Sequence, residues 1–215
     1  MSKIYLKTQD LSIGYHSRSP QKAVAKGLNL TLKTGQLTCL IGPNGVGKST
    51  LLRTLSGLQK PIGGNILLDG KPINQYNAEA LAQHISIVLT DPSHPGDLKV
   101  NQVVELGRLP YTNWLGTLSD QDNQIVEQAL IQMDALHLSS RSFGELSDGE
   151  RQKVMIARAL AQETNLMILD EPTAFLDWSN RVDLLTNLKD IAKTSEKAIL
   201  ISSHDLELVL KIADE

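Results

Sequence analysis

Apolar and polar positions alternate in two rhythms along this chain, and the change of rhythm divides it. Ile4–Thr8 and Leu11–Tyr15 read as two short strands, and the polar stretch from His16 to Ala25 reads as a loop. Leu28, Leu30 and Leu32 then alternate with Asn29, Thr31 and Lys33, which predicts a half-buried strand. Thr34-Gly35 turns the chain into Leu37-Thr38-Cys39-Leu40-Ile41, an apolar run that suits a buried strand. Lys48 to Leu58 places Leu51, Leu52, Leu55 and Leu58 at helical spacing. After the break at Pro61-Ile62-Gly63-Gly64, Asn65–Leu68 reads as a strand closed by the turn signal Asp69-Gly70. Asn77–Gln83 fits a short helix and Ile85–Leu89 a compact buried strand.

The rhythm changes at Asp91-Pro92-Ser93-His94-Pro95-Gly96. From Val100 to about Leu138 the apolar spacing is helical, interrupted from Pro110 to Thr117. Alternation of strand and helix resumes with Leu166–Leu169 as a strand, Trp178–Ala192 as a helix and Ala198–Ser202 as a strand. The pattern predicts one α/β domain over residues 1–215. Residues 1–90 and 149–215 form its core, and residues 91–148 form an inserted, mostly helical lobe.

Composition narrows the class without naming it. A chain of 215 residues, 41% hydrophobic and 21% charged, is ordinary for a globular domain. A net charge of -3 and short, scattered basic stretches give no reason to expect nucleic acid. Cys39 is the only cysteine, so no internal disulfide forms, and a reducing cytosolic compartment fits. Met1–Tyr5 lacks the apolar centre of a signal peptide. No run approaches the roughly 18 apolar residues of a membrane span, so membrane association would come through a partner.

The chemistry concentrates at Gly42-Pro43-Asn44-Gly45-Val46-Gly47-Lys48-Ser49-Thr50, the full G-x-x-x-x-G-K-[ST] pattern between a buried strand and a helix. Its glycines leave backbone N–H groups free to wrap a phosphate, and the helix N-terminus adds its positive dipole end. Lys48 can reach the outer phosphates of a nucleotide, and the Ser49 hydroxyl can ligate Mg²⁺. A glycine-rich turn that binds nothing would not need the Lys-Ser pair at the helix start. Leu166–Leu169 ends in Asp170-Glu171. Asp170 can hold the same Mg²⁺, and Glu171 can orient or deprotonate the water that attacks the γ-phosphate. Read alone, the pair is two acids capping a strand. His204 follows the last strand at the sheet edge where α/β proteins bind ligands, and could contact the γ-phosphate and the attacking water. Its plain alternative is a structural histidine.

Leu146-Ser147-Asp148-Gly149-Glu150 opens the long helix Arg151–Ala161. Ser147 and Glu150 form a capping box. The same N–H groups, with the Ser147 hydroxyl and Gly149, can also form a second anion site. One chain has one γ-phosphate and one loop to hold it, so a second anion-facing helix points to the nucleotide of a partner chain.

Leu146–Glu150 resembles the L-S-G-G-Q signature of ATP-binding cassette (ABC) proteins, with Asp148 and Glu150 at its third and fifth positions. Asp170-Glu171-Pro172-Thr173 resembles the family's Walker B extension, Ala174-Phe175-Leu176-Asp177 its D-loop, and Ser203-His204-Asp205 its switch histidine. Tyr15 stands where the family stacks an aromatic on adenine. The resemblance implies a P-loop NTPase (RecA-like) core with an N-terminal antiparallel β subdomain and an inserted α-helical subdomain. It implies ATP and Mg²⁺, and a head-to-tail homodimer clamping each ATP between Gly42–Thr50 of one chain and Ser147–Glu150 of the other. It further implies integral-membrane permease subunits, a solute-binding protein acting indirectly, and a peripheral position on the cytoplasmic face of a bacterial membrane.

Glu105-Leu106-Gly107-Arg108-Leu109-Pro110-Tyr111 resembles the G-R-x-P-[HY] segment of cassettes in iron–siderophore, haem and vitamin B12 importers. The plain alternative is a helix end stopped by Pro110, with Arg108 and Tyr111 solvated. Two departures stand out. Thr90 takes the place of the family's usual Gln, and the chain stops at Ala213-Asp214-Glu215, as a C-terminally shortened member would. The competing readings are a soluble or exporter-type ABC ATPase and a P-loop kinase. The single compact insert between Lys48 and Asp170 argues against the coiled-coil ABC ATPases of DNA repair. Glu171 and the capping-box helix have no evident place in a kinase.

Overall fold

The computed structural model describes residues 2–15, 22–90, 96–112 and 116–215. Expectations for residues 16–21, 91–95 and 113–115 fall outside them. In chain order the elements are β1 (Ile4–Tyr15), β2 (Lys22–Leu28), β3 (Thr31–Lys33), β4 (Gln36–Ile41), α1 (Lys48–Leu55), β5 (Gly63–Leu68), β6 (Lys71–Pro72) and α2 (Ala78–His84). There follow β7 (Ile85–Val88), α3 (Val100–Glu105), α4 (Asp120–Gln132), α5 (Asp148–Ala161), β8 (Leu166–Leu169), α6 (Trp178–Thr194), β9 (Ala198–Ser203) and α7 (Leu206–Ile212). A 3₁₀ segment, Leu106–Tyr111, continues from α3.

Two sheets divide the work. The N-terminal sheet is antiparallel, in the order β2-β1-β5-β6, with β3 also pairing β1. The second is parallel, in the order β4-β9-β8-β7. β8 and β9 are buried on both faces, as their apolar runs suggest, whereas β4, expected to be buried, is an edge strand only partly covered, with Ile41 exposed. Along β8, Leu166 and Ile168 pack with Leu51, Leu52 and Leu55 of α1 and with the N-terminal sheet. Met167 and Leu169 face the opposite way, into a core shared with α3, α4, α5 and α6. The helical insert therefore shares a core with one face of the parallel sheet, through α5.

Three expectations are corrected. Ile4–Tyr15 is one strand rather than two. Asp10, in the left-handed region at φ 47°, marks a bulge, and the register against β5 shifts between Gln9 and Ser12. Gly64 lies against that bulge, where a Cβ would come within 2.3 Å of the Asp10 carbonyl oxygen. Ala23–Ala25, read as loop, belongs to β2, because pairing with β1 overrides the weak local pattern. The strand expected through Leu28–Leu32 is broken: β2 ends at Leu28 and β3 begins at Thr31, both on the edge of β1 opposite β5.

Candidate functional site

The carboxyl ends of the parallel strands form one edge, and every predicted phosphate-site residue of the core except Tyr15 emerges there. Gly42 follows β4, Thr90 lies two residues beyond β7, Asp170 and Glu171 follow β8, and His204 follows β9. This is the edge where open α/β sheets bind ligands. The loop Gly42–Gly47 turns into α1 through Gly45 (φ 79°) and Gly47 (φ 107°). At Gly47 a Cβ would also strike Val24 Cγ1 at 2.3 Å, so β2 presses on the loop from outside. Pro43, Asn44, Gly45, Val46 and Ser49 are exposed, while Thr50 is buried at the start of α1.

Lys48 is only 7% exposed because its chain folds back under the loop it belongs to. Its Nζ donates to the carbonyls of Gly42 (2.8 Å) and Pro43 (3.3 Å), and lies 3.4 Å from Glu171 Oε1. Glu171 Oε2 lies 3.6 Å from His204 Nδ1. Lys48, Glu171 and His204, 156 residues apart in sequence at the extremes, thus form one line of charged and titratable groups. Glu171 itself sits in the left-handed region at φ 49°, a strained position for a residue with a Cβ.

The strain is held by a residue that sequence reasoning did not single out. Ser202, fully buried on β9, donates its hydroxyl to Asp170 Oδ1 (2.6 Å) and accepts the Glu171 backbone N–H (2.9 Å). One hydroxyl therefore orients both acids. Among the described residues no donor engages Asp170 Oδ2, which leaves that oxygen available to a cation. Thr90 Oγ1 donates to the Asp170 carbonyl oxygen (3.2 Å). The position that departs from the family pattern thus ties to the backbone of the acidic strand end. Tyr15, half-exposed at the end of β1, lies beside α1, its hydroxyl 3.1 Å from Thr50 Oγ1.

The second candidate site is a well-formed helix start. The Ser147 N–H and hydroxyl both donate to Glu150 Oε2 (2.8 and 2.7 Å), and Ser147 Oγ accepts the Glu150 N–H at 3.4 Å. These bonds to Ser147 hold the Glu150 carboxyl below the usual range, with Arg141, 3.5 Å away, adding to the effect. Gly149 packs against the segment after Walker B, where a Cβ would meet Leu176 Cδ2 at 3.0 Å. Among the described residues no hydrogen bond or ion pair joins Ser147–Glu150 to the phosphate loop, Asp170, Glu171 or His204. The chain brings together one half of the predicted site and holds the other half apart.

Residues 25–174 match the ABC transporter family. The chain belongs to that family. An uncharacterized ABC transporter ATP-binding protein of Methanocaldococcus jannaschii is 44% identical over 210 residues, covering 98% of this chain and 71% of the relative. The Bacillus subtilis protein YusV, described as a probable siderophore transport system ATP-binding protein, is 39% identical over 208 residues, covering 97% and 74%. Among solved structures, cbiO1 of Clostridium perfringens, part of the ABC transporter complex cbiONQ, superposes with a TM-score of 0.84 at 33% identity, covering 99% of this chain and 83% of that one. The dimeric post-hydrolysis state of an ATP-binding cassette with ADP and Pi gives 0.83 at 25% identity, covering 94% and 89%. The cassette is an ATPase with the P-loop NTPase fold.

Proposed function

We propose that this cassette is the ATP-hydrolysing subunit of an importer for an iron–siderophore, haem or cobalamin. Two copies work head to tail beneath a membrane permease, on the cytoplasmic face of the membrane. The observation that carries the catalytic part is the line Lys48–Glu171–His204 along the sheet edge. ATP in the Gly42–Thr50 loop takes Lys48 from the carbonyls that now engage it, and the side chain neutralises the outer phosphates. Tyr15 lies at the adenine end. Glu171 holds the attacking water and accepts its proton, while His204 steadies Glu171 and the γ-phosphate.

The donors present suit Mg²⁺. The exposed Ser49 hydroxyl and the unengaged Asp170 Oδ2 are hard oxygen ligands, and Mg²⁺ typically takes one or two such groups plus phosphates and water. When bound, the ion supplies charge neutralisation at the phosphates. Ser202 keeps Asp170 turned toward it. Ser147, Gly149 and Glu150 of the second copy close the site over the γ-phosphate, which accounts for an anion-facing helix start with no anion site of its own chain beside it.

A groove of about 240 Å³ lined by Leu58, Leu81, Ile87 and Arg158 supports the reading as a place for the permease to dock. Arg158 brings a desolvated guanidinium into a groove that is otherwise apolar apart from Ser56 and Gln162, which favours a partner helix with an acidic residue among apolar ones. The solute class rests on the Gly107–Tyr111 segment and on relatives such as YusV. Co-purification of the tagged full-length protein from its native membrane tests the reading. Recovery of a polytopic permease supports it. Recovery of soluble partners alone leaves the ATPase standing and favours the soluble-cassette alternative.

A further inference from the structure

Arg108 is 5% exposed, yet it touches nothing in the phosphate site. Among the described residues it makes three hydrogen bonds. Nε donates to Asp122 Oδ1 (2.8 Å) in the first turn of α4. Nη1 donates to the Ala161 carbonyl (2.7 Å) and to Glu163 Oε2 (2.9 Å), both at the C-terminal end of α5. The guanidinium lies 4.3 Å from the centre of the Tyr111 ring, and the Tyr111 hydroxyl donates to the Gln162 carbonyl (2.9 Å). Gly107 allows this approach, since a Cβ there would lie 2.3 Å from the Arg158 carbonyl oxygen. Gln162 in turn donates to the carbonyls of Ala82 (2.6 Å) and Ile85 (3.2 Å) on the core. The segment expected at a solvated helix end is thus a buried junction of the insert, α5 and the core.

The opposite end of α5 is Ser147–Glu150. A 14-residue helix is about 20 Å long, so a tilt of about 5° at its C-terminus moves its N-terminus by nearly 2 Å. Misplacement of about 1 Å is enough to cost a positioned reaction a large part of its rate.

We propose that Arg108 is a positioning residue. It fixes the C-terminal end of α5 to α4 and so aims Ser147–Glu150 at the nucleotide of the partner copy. The inference rests on the head-to-tail reading above. Burial of a charged group with three protein acceptors is costly unless every bond is kept, so the junction holds one geometry. Lysine keeps the charge but lacks the planar fork that serves Asp122, Ala161 and Glu163 together.

The test uses the full-length protein with Arg108→Lys, in wild-type and Glu171→Gln backgrounds. ATP affinity of the monomer is measured by titration calorimetry and ATP-driven dimerisation by light scattering. ATP affinity is expected within twofold of the parent, while the dimerisation constant weakens at least tenfold. Asp122→Asn and Tyr111→Phe, which cut the same junction more gently, are expected to weaken dimerisation about three- to tenfold. They carry the test if Arg108→Lys does not fold. Dimerisation unchanged within twofold in folded variants overturns the proposal. So does a parallel loss of ATP affinity and thermal stability, the mark of a merely structural role. If Glu171→Gln alone stays monomeric at saturating ATP-Mg²⁺, the head-to-tail reading fails first. If it dimerises and the Arg108 variants do so equally, only the role of Arg108 fails.

Discussion

Replacing Ser202 by alanine tests whether one buried hydroxyl organises the acidic strand end. The side chain is fully buried and makes two bonds, one to the Asp170 carboxylate and one from the Glu171 N–H. A hydrogen bond to a charged group contributes about 1.5–3 kcal/mol and a neutral one about 1 kcal/mol, and the full burial of Ser202 keeps bulk water from replacing either. The expected loss is therefore about 2–4 kcal/mol. For a domain of this size that corresponds to a melting temperature lower by about 5–15 °C. Calorimetry without nucleotide gives the stability arm. A Mg²⁺ titration of ATPase activity gives the functional arm, where we expect a higher Mg²⁺ requirement and a lower kcat, because both acids lose their orientation. Ser202→Cys, which keeps the volume and a weak donor, should fall between. A melting temperature within about 2 °C of wild type would refute the argument, since it would mean that Asp170 and Glu171 find equivalent partners unaided.

Other outcomes follow from the same geometry. Glu171→Gln should lower hydrolysis by about 10²–10⁴-fold while retaining ATP binding, read by single-turnover kinetics and filter binding. Lys48→Ala should abolish ATP binding or hydrolysis, and unaltered turnover would overturn the phosphate-loop assignment. Gly107→Ala drives a Cβ toward the backbone of α5 and should cost about 1–3 kcal/mol in urea unfolding. Asp122 is held below the ordinary aspartate range by its bonds to Ser119, then by Arg108. Its folded pKa is depressed, so its stabilisation is present above the ordinary value of about 3.9 and is lost as pH falls through the lower folded value. The wild-type urea midpoint should therefore drop in acid by more than that of Asp122→Asn.

The parts of the molecule that a local pattern can carry were legible in advance. Gly42–Thr50 sits between strand and helix as its spacing required, and the runs at β7, β8 and β9 announced strands buried on both faces. The N-terminal sheet was less legible. Asp10 punctuates a strand that long-range pairing carries through it, and Ala23–Ala25 are extended because β1 lies beside them. Ser202 was hidden for another reason. A serine in an apolar run carries no signal of its own, and its role depends on two residues 31 and 32 positions away on the adjacent strand. Arg108 showed a motif but not its burial, because its partners lie 14 to 55 residues downstream.

These hidden residues divide along a line that matters for coupling. Ser202 and Thr90 bind the acidic strand end to its neighbours, whereas Arg108, Tyr111 and Gln162 bind the far end of α5 to the insert and to α2–β7. The two networks share no residue, and α5 with β8 spans the space between them. The groove beside Leu58, Leu81 and Arg158 shares Gln162 with the Arg108 junction. On the importer reading proposed above, that shared residue makes the C-terminal end of helix α5 a route by which a permease would act on the cassette. A link between insert and core runs from Tyr111 to Gln162 and on to the carbonyls of Ala82 and Ile85, and it does not pass through Thr90.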